Sequence, residues 1–206
     1  LCIAIVVLLT ACSSHPRREP PTLLTMASGA PRAPEQVQTR IDAVVLKLRV
    51  DPKRQRIDGD ATLTLRTSAS LASVVLDLDR YLSISAIDVD GQALDASRWR
   101  NPDGRLRIDL AQPSATDVPF NLRIRYSGAP RVAEHAPWDG GFVWSRTPSG
   151  QPWVATAVQG EGCDLLWPCI DHPLNEPASV EQFISVPAPL VAVGNGVDLG
   201  MPEQNG

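Results

Sequence analysis

The sequence predicts an all-β protein built from antiparallel sheet. From residue 37 onward, apolar and polar residues alternate with a period of two over several short segments, the pattern of strands with one buried face and one solvated face. The chain contains nineteen prolines, and many of them, together with turn-forming pairs, lie outside these segments. No segment carries the apolar stripe of a long amphipathic helix.

About seven short strands are expected, each with apolar residues at every second position. The clearest sets are Val44, Leu46, Leu48 and Val50; Ala61, Leu63 and Leu65; Val74, Leu76 and Leu78; Leu106, Ile108 and Leu110; and Phe120, Leu122, Ile124 and Tyr126. Between Leu82 and Val89 the apolar positions change parity, which predicts a β-bulge near Ala86. Asp90-Gly91 and Asp103-Gly104 predict hairpin turns.

Length and charge limit the classes of function. The 206 residues are enough for one domain with a sizeable core. The formal net charge of −4 provides no basic surface of the kind that binds nucleic acid, so no nucleic-acid partner is expected.

The amino-terminal residues resemble an export signal. Residues 1–11 are mostly apolar but too few to span a bilayer, which is typical of a signal h-region. The chain starts without Met or a basic segment, so we expect the natural start to lie upstream.

Leu9-Thr10-Ala11-Cys12 resembles a bacterial lipobox, whose cysteine is acylated; the alternative is an ordinary cleaved signal with an incidental cysteine. Lipid on Cys12 would hold the protein at the periplasmic side of the cell envelope, and Ser13 favours the outer membrane.

Residues 12–36 are rich in proline, serine, alanine and arginine, which predicts a disordered, semi-extended tether. The β-domain is expected to occupy residues 37–206. Its second half contains four of the five tryptophans. We expect most of them to fill the core, although an exposed row of aromatic side chains would indicate a sugar-binding surface.

Residues 159–173 concentrate the side chains that could carry chemistry. Cys163, Cys169, Asp171 and His172 could ligate a metal, but their spacing lacks the paired C-x2-C knuckles of zinc sites, so no metal site is expected. A disulfide between the two cysteines requires a tight reversal, because six extended residues would hold them beyond bonding distance. We therefore expect two unbridged cysteines, with the disulfide as the alternative.

The same stretch resembles the end of the N-terminal domain in zinc aminopeptidases related to aminopeptidase N. The match consists of a glutamine, a nine-residue step and Pro-Cys-x-Asp-x-Pro, here Gln159 followed by Pro168-Cys169-Ile170-Asp171-His172-Pro173. Weaker similarities in the same order are Leu46-x-Leu48-x-Val50-Asp51, Ile57-x-Gly59, Val89-Asp90-Gly91, Ile124-x-Tyr126-x-Gly128 and the segment from Val186 to Gly196. The sequence departs from the family at Asp164, where arginine is common, and at His172, where glutamate is common.

The resemblance implies a saddle-like β-sandwich packed on a zinc-dependent catalytic domain. It also implies that Gln159 helps to bind the free α-amine of a peptide substrate. The chain contains three histidines and no H-E-x-x-H motif, so we expect no catalytic residue and no zinc ligand within it, and zinc in the intact enzyme. The alternative is a non-enzymatic envelope lipoprotein that binds peptide, glycan or a protein partner.

Overall fold

The computed structural model describes residues 29–200, except residues 137 and 139. Within these residues the protein forms one short α-helix, α1, two 3₁₀ helices of three residues each, and eleven strands. Their bounds are α1 Pro34–Val37, β1 Thr39–Asp51, β2 Arg56–Thr67, β3 Ser73–Asp77, β4 Leu82–Val89, β5 Gln92–Ala93, β6 Trp99–Arg100, β7 Arg105–Asp109, β8 Phe120–Gly128, β9 Gly141–Arg146, β10 Pro152–Ala157 and β11 Ser179–Ser185. The all-β prediction is confirmed. None of the described helices has the length and apolarity needed to cross a membrane.

Three sheets carry these strands. The largest has the order β11-β1-β2-β8-β4-β5, a second has the order β3-β7-β6, and β9 pairs with β10 in a hairpin. The core lies between the six-stranded and three-stranded sheets, because buried residues of both belong to one apolar cluster. Leu63 of β2 and Leu76 of β3, for example, are fully buried.

The predicted alternation is confirmed along the main strands. Every apolar position predicted in β1, β2, β7 and β8 is buried, and the intervening side chains are mostly partly or fully exposed. The predicted bulge is also present, since the register between β4 and β8 shifts between Ile84 and Ala86. Asp90 and Gly91 have φ of 48° and 79°, so they form the two-residue turn expected for a hairpin.

Not every pairing in the large sheet is antiparallel. β11 lies parallel to β1, from the pair Ala43 and Ser179 to the pair Arg49 and Ser185. The sequence prediction of antiparallel sheet is therefore wrong at this edge. The alternation within a strand reports which face is buried but does not report the direction of the neighbouring strand.

The tether was predicted to end at residue 36, which is too late in the sequence. Residues 29–36 are part of the folded domain, since Gln36 is buried and its Nε2 donates to Asp77 Oδ2 at 2.7 Å, and Glu35 pairs with Arg107. The prolines were interpreted as helix breakers, but Pro34 occupies the first turn of α1, where a proline is tolerated. Residues 12–28, including Cys12, lie outside the described residues.

The aromatic residues of the second half have mixed environments. Phe142 is buried and stacks on Trp144 with ring centroids 5.2 Å apart, and Trp144 and Trp167 pack against the core. Trp138 and Trp153 are instead 86% and 59% exposed. The expectation of core tryptophans therefore holds for only half of this group.

Candidate functional site

Gln159 lies at the exposed tip of a tight turn that follows β10. The turn is closed by two amides, those of Glu161 and Gly162, which both donate to the Val158 carbonyl at 3.2 and 2.9 Å. Gly160 has φ of 83°, a conformation that favours glycine. The Gln159 side chain is thus presented to solvent by a short, hydrogen-bonded loop.

The segment after this turn is hydrogen-bonded to the β-sheets. Asp77, at the end of β3, exchanges two backbone hydrogen bonds with Cys169, at 2.6 and 3.0 Å. The Asp79 amide donates to the Asp164 carbonyl at 3.0 Å. The Tyr126 hydroxyl on β8 donates to the Leu166 carbonyl at 2.6 Å. Both main sheets therefore fix the segment that directly follows the Gln159 turn.

The contact of Tyr126 depends on a small residue on the neighbouring strand. Gly59 of β2 lies opposite Tyr126, and a Cβ at Gly59 would come within 2.0 Å of the Tyr126 ring. Burial, and secondarily the charge of Asp60, raises the pKa of the Tyr126 phenol, which keeps it a hydrogen-bond donor. Gly59 and Tyr126, which belong to two separate weak similarities in the sequence, therefore pack directly against each other.

Cys163 and Cys169 form a disulfide, with S–S of 2.01 Å and Cα atoms 6.3 Å apart. The prediction of two unbridged cysteines is wrong. Residues 163–165 form a 3₁₀ turn, and the amides of Leu166 and Trp167 both donate to the Cys163 carbonyl. This reversal brings the cysteines together, whereas an extended segment would separate them by about 20 Å.

Several carboxyl groups converge behind the disulfide. Asp164 is only 3% exposed, and a Cβ at Gly162 would lie 2.6 Å from Asp164 Oδ1 and 2.3 Å from Asp171 Oδ2. Burial, followed by the charges of Asp171, Asp79 and Asp77, raises the pKa of Asp164 to about 8, and Arg131 opposes this rise. Burial also raises the pKa of Asp77. The raised pKa favours the protonated, neutral form of Asp164 near pH 7.

The remaining candidate ligands of this stretch have structural roles. The Asp171 amide donates to Asp77 Oδ2 at 3.0 Å, and the Asp171 carbonyl accepts from the Gly29 amide. His172 Nδ1 accepts from the Leu174 amide at 3.2 Å. Among the described residues, no group of three or more His, Cys, Asp or Glu side chains could hold a metal ion.

Arg131 contacts the loop that carries Gln159, and the sequence analysis did not single it out. Its Nη1 donates to Glu161 Oε2 and its Nη2 donates to Asp79 Oδ2, both at 2.9 Å. The three residues are distant in sequence, so no spacing rule relates them. The one available signal was Glu161, a charged residue directly after Gly160 that could be expected to have a basic partner.

A groove of about 420 Å³ crosses the solvated face of the large sheet. Its charged side chains come from neighbouring strands and largely neutralise one another. Arg49 lies 3.3 Å from Asp58, and Asp60 binds Arg123 through both carboxylate oxygens. Ladders of cross-strand ion pairs are an ordinary feature of a solvated sheet face, so this groove adds no second candidate site.

Comparison with solved structures places this architecture among known folds. An M1 zinc metallopeptidase from Deinococcus radiodurans matches with a TM-score of 0.67 and 24% identity, over 87% of this chain and 39% of that chain. The chain shares its fold with M1 zinc metallopeptidases. A structure of an M1 zinc metallopeptidase mutant from the same organism, bound to a Tyr-Ser-Ala substrate, matches with a TM-score of 0.62 and 24% identity, over 82% and 37% of the two chains.

Leukotriene A4 hydrolase from Saccharomyces cerevisiae has the same fold over 79% of this chain and 26% of its own, with a TM-score of 0.58 and 22% identity. No protein-family model and no curated protein matches the sequence. The predicted resemblance to the zinc aminopeptidases is thus confirmed at the level of fold. The chain spans less than two fifths of the M1 metallopeptidase chains that it matches.

Proposed function

We propose that this chain is the amino-terminal β-domain of an M1-type zinc aminopeptidase, and that Gln159 binds the free α-amine of the peptide substrate. The observation that carries the proposal is the shared fold with part of the M1 metallopeptidases. The Gln-to-Pro-Cys-x-Asp-x-Pro spacing supports the same assignment.

The position of Gln159 suits the proposed role. A substrate ammonium group needs acceptors, and the side-chain carbonyl oxygen of a glutamine provides one without introducing a competing charge. The loop is exposed at its tip and fixed at its base. The loop would therefore lose little conformational freedom when the side-chain amide of Gln159 binds a substrate. The described residues do not form a zinc site, and we place the zinc ligands of the intact enzyme outside these 206 residues.

The test uses the full reading frame that contains this chain, expressed as one protein. We expect chelator-sensitive hydrolysis of an aminoacyl-p-nitroanilide and no turnover of the N-acetylated substrate. Loss of one hydrogen bond to a charged group costs about 1.5–3 kcal/mol, so Gln159→Ala should lower kcat/KM roughly 10- to 100-fold. Gln151→Ala, at another exposed glutamine in a neighbouring turn, should leave kcat/KM unchanged.

Two results would overturn this function. One is chelator-sensitive hydrolysis by the purified 206-residue chain alone, because the proposal places the chemistry elsewhere. The other is an intact protein with no peptidase activity, which would favour the non-enzymatic envelope lipoprotein.

We further propose that lipid on Cys12 anchors the protein at the periplasmic side of the outer membrane. The proposal rests on the apolar run and the lipobox-like residues before Cys12. Radiolabelled palmitate should enter the wild-type protein and should not enter Cys12→Ser. Equal labelling of the two proteins would contradict acylation at this residue.

A further inference from the structure

We propose that Arg131 is a positioning residue for Gln159, acting through Glu161. The guanidinium group joins the Gln159 loop to the buried carboxylate of Asp79. It thereby sets the orientation of the turn that presents the side-chain amide of Gln159. This inference rests on the proposed substrate-binding role of Gln159.

The guanidinium group bridges two carboxylates with separate nitrogen atoms. Nη1 lies 2.9 Å from Glu161 Oε2 and Nη2 lies 2.9 Å from Asp79 Oδ2. The side chains of Arg131, Glu161 and Asp79 are 12%, 22% and 2% exposed, so water screens both pairs weakly. Charge-assisted hydrogen bonds of this geometry are among the stronger polar contacts in proteins.

The interior end of the bridge is fixed. Asp79 Oδ1 accepts from the Tyr81 amide at 2.9 Å, and the Asp79 carbonyl accepts from the Leu82 amide at the start of β4. The Arg131 carbonyl accepts from the Phe142 amide on β9 at 2.7 Å. Because its own backbone and its interior partner are both fixed, Arg131 cannot move with a displaced loop.

The loop end of the bridge is confined as well. Gly140 lies directly against Glu161, since a Cβ there would come within 2.0 Å of Glu161 Cγ. Gln159 and Glu161 belong to the same turn, which the Val158 carbonyl closes. A rotation of Glu161 therefore rotates the backbone that carries Gln159.

The arrangement requires arginine and not merely a positive charge. The planar guanidinium group serves two carboxylates at once, whereas a lysine ammonium is a compact point charge that cannot reproduce both contacts. Arg131→Lys should therefore weaken the attachment of the loop. Glu161→Gln is the cleaner variant, because it keeps the buried pair of Arg131 and Asp79 intact.

The first measurement uses the 206-residue chain and does not depend on activity. Amide hydrogen exchange at Glu161 and Gly162, whose amides both bond to the Val158 carbonyl, should accelerate about tenfold or more in Glu161→Gln. The melting temperature should stay close to that of the wild type. Glu176→Gln, at an exposed glutamate outside the loop, should leave exchange at both amides unchanged.

The second measurement uses the intact enzyme. Glu161→Gln should raise KM for an aminoacyl-p-nitroanilide by about tenfold with little change in kcat, since a misplaced binding group weakens substrate binding. Arg131→Lys should raise KM by less than this. Unchanged exchange and an unchanged KM in Glu161→Gln would overturn the positioning role. A kcat/KM unaffected by Gln159→Ala would instead overturn the proposed substrate-binding role of Gln159, and the positioning role with it, whatever the exchange rates show.

Discussion

Replacing Asp164 by asparagine should stabilise the protein increasingly as the pH rises. The carboxyl group is 3% exposed, and burial with three neighbouring carboxylates raises its pKa from 3.8 to about 8. Between these two values the unfolded chain has released a proton that the folded chain keeps. The free energy of unfolding therefore falls by about 1.4 kcal/mol for each pH unit in this window.

Asparagine has nearly the same shape and cannot ionise. At pH 4 the two proteins should differ by only about 0.6 kcal/mol, because Asp164 is neutral in the folded state and just over half ionised in the unfolded state. At pH 7, about three pH units above the pKa in the unfolded chain, ionisation of Asp164 stabilises the unfolded wild type but not the unfolded variant. The free energy of unfolding of Asp164→Asn should therefore exceed that of the wild type by roughly 4 kcal/mol. The difference should level off above pH 8, where the folded carboxyl group also ionises.

The assay is urea unfolding followed by tryptophan fluorescence at pH 4, 5, 6, 7 and 8. The difference between variant and wild type isolates Asp164, because the other titrating groups are common to both proteins. Asp109→Asn, at a surface carboxylate 3.8 Å from Arg100, is the control and should change stability by less than about 0.5 kcal/mol at every pH. A difference between Asp164→Asn and wild type that does not grow with pH would refute the reasoning.

Three further changes should affect stability through different contacts. Cys163→Ala with Cys169→Ala should lower the free energy of unfolding by about 2 kcal/mol, as expected for a disulfide that closes a short loop. Leu63→Ala, at a fully buried position of the central strand β2, should cost about 2–5 kcal/mol through the cavity that it leaves. Tyr126→Phe removes the hydrogen bond to the Leu166 carbonyl, in the segment that follows the Gln159 turn, and should cost about 1–3 kcal/mol, because that carbonyl is left unpaired.

Each of these changes has its own control. Added reductant should lower the stability of the wild type and leave the double alanine variant unaffected; an effect on both would mean that the disulfide is not the cause. Thr62→Ala, on the solvated side of β2, should cost far less than Leu63→Ala, and equal costs would contradict the assignment of the core face. If Tyr126→Phe is as stable as the wild type, the hydroxyl group does not anchor the segment that contains Leu166.

The β-strands were predictable because burial has a period of two in a strand. Leu63 and Leu122 could be assigned to the core from alternation alone, and the change of parity before Ile87 located the bulge. Each of these signals depends only on residues close together in the sequence. The direction of β11 was not predictable in this way, since it depends on a partner strand at the other end of the domain.

The candidate site was predictable only in part. Gln159 was proposed through a resemblance of motif, not through its physical environment. The disulfide was missed because the 3₁₀ turn at Cys163 has no periodic signature of its own in three residues. Arg131 was missed because ion pairs between distant segments leave no pattern in a single sequence. Residues 29–36 were assigned to the tether because composition does not reveal that Gln36 reaches a buried carboxylate.

The parallel pairing of β11 with β1 has a consequence for how the chain folds. As residues emerge in order, β1 can pair with β2 at once through a short turn, but its other edge has no partner until nearly the whole domain is available. An uncovered strand edge is a template for association with other chains, and closing so long a loop is slow. The nascent protein should therefore pass through a stage with an open β1 edge, at which a chaperone that binds extended segments would protect it from aggregation.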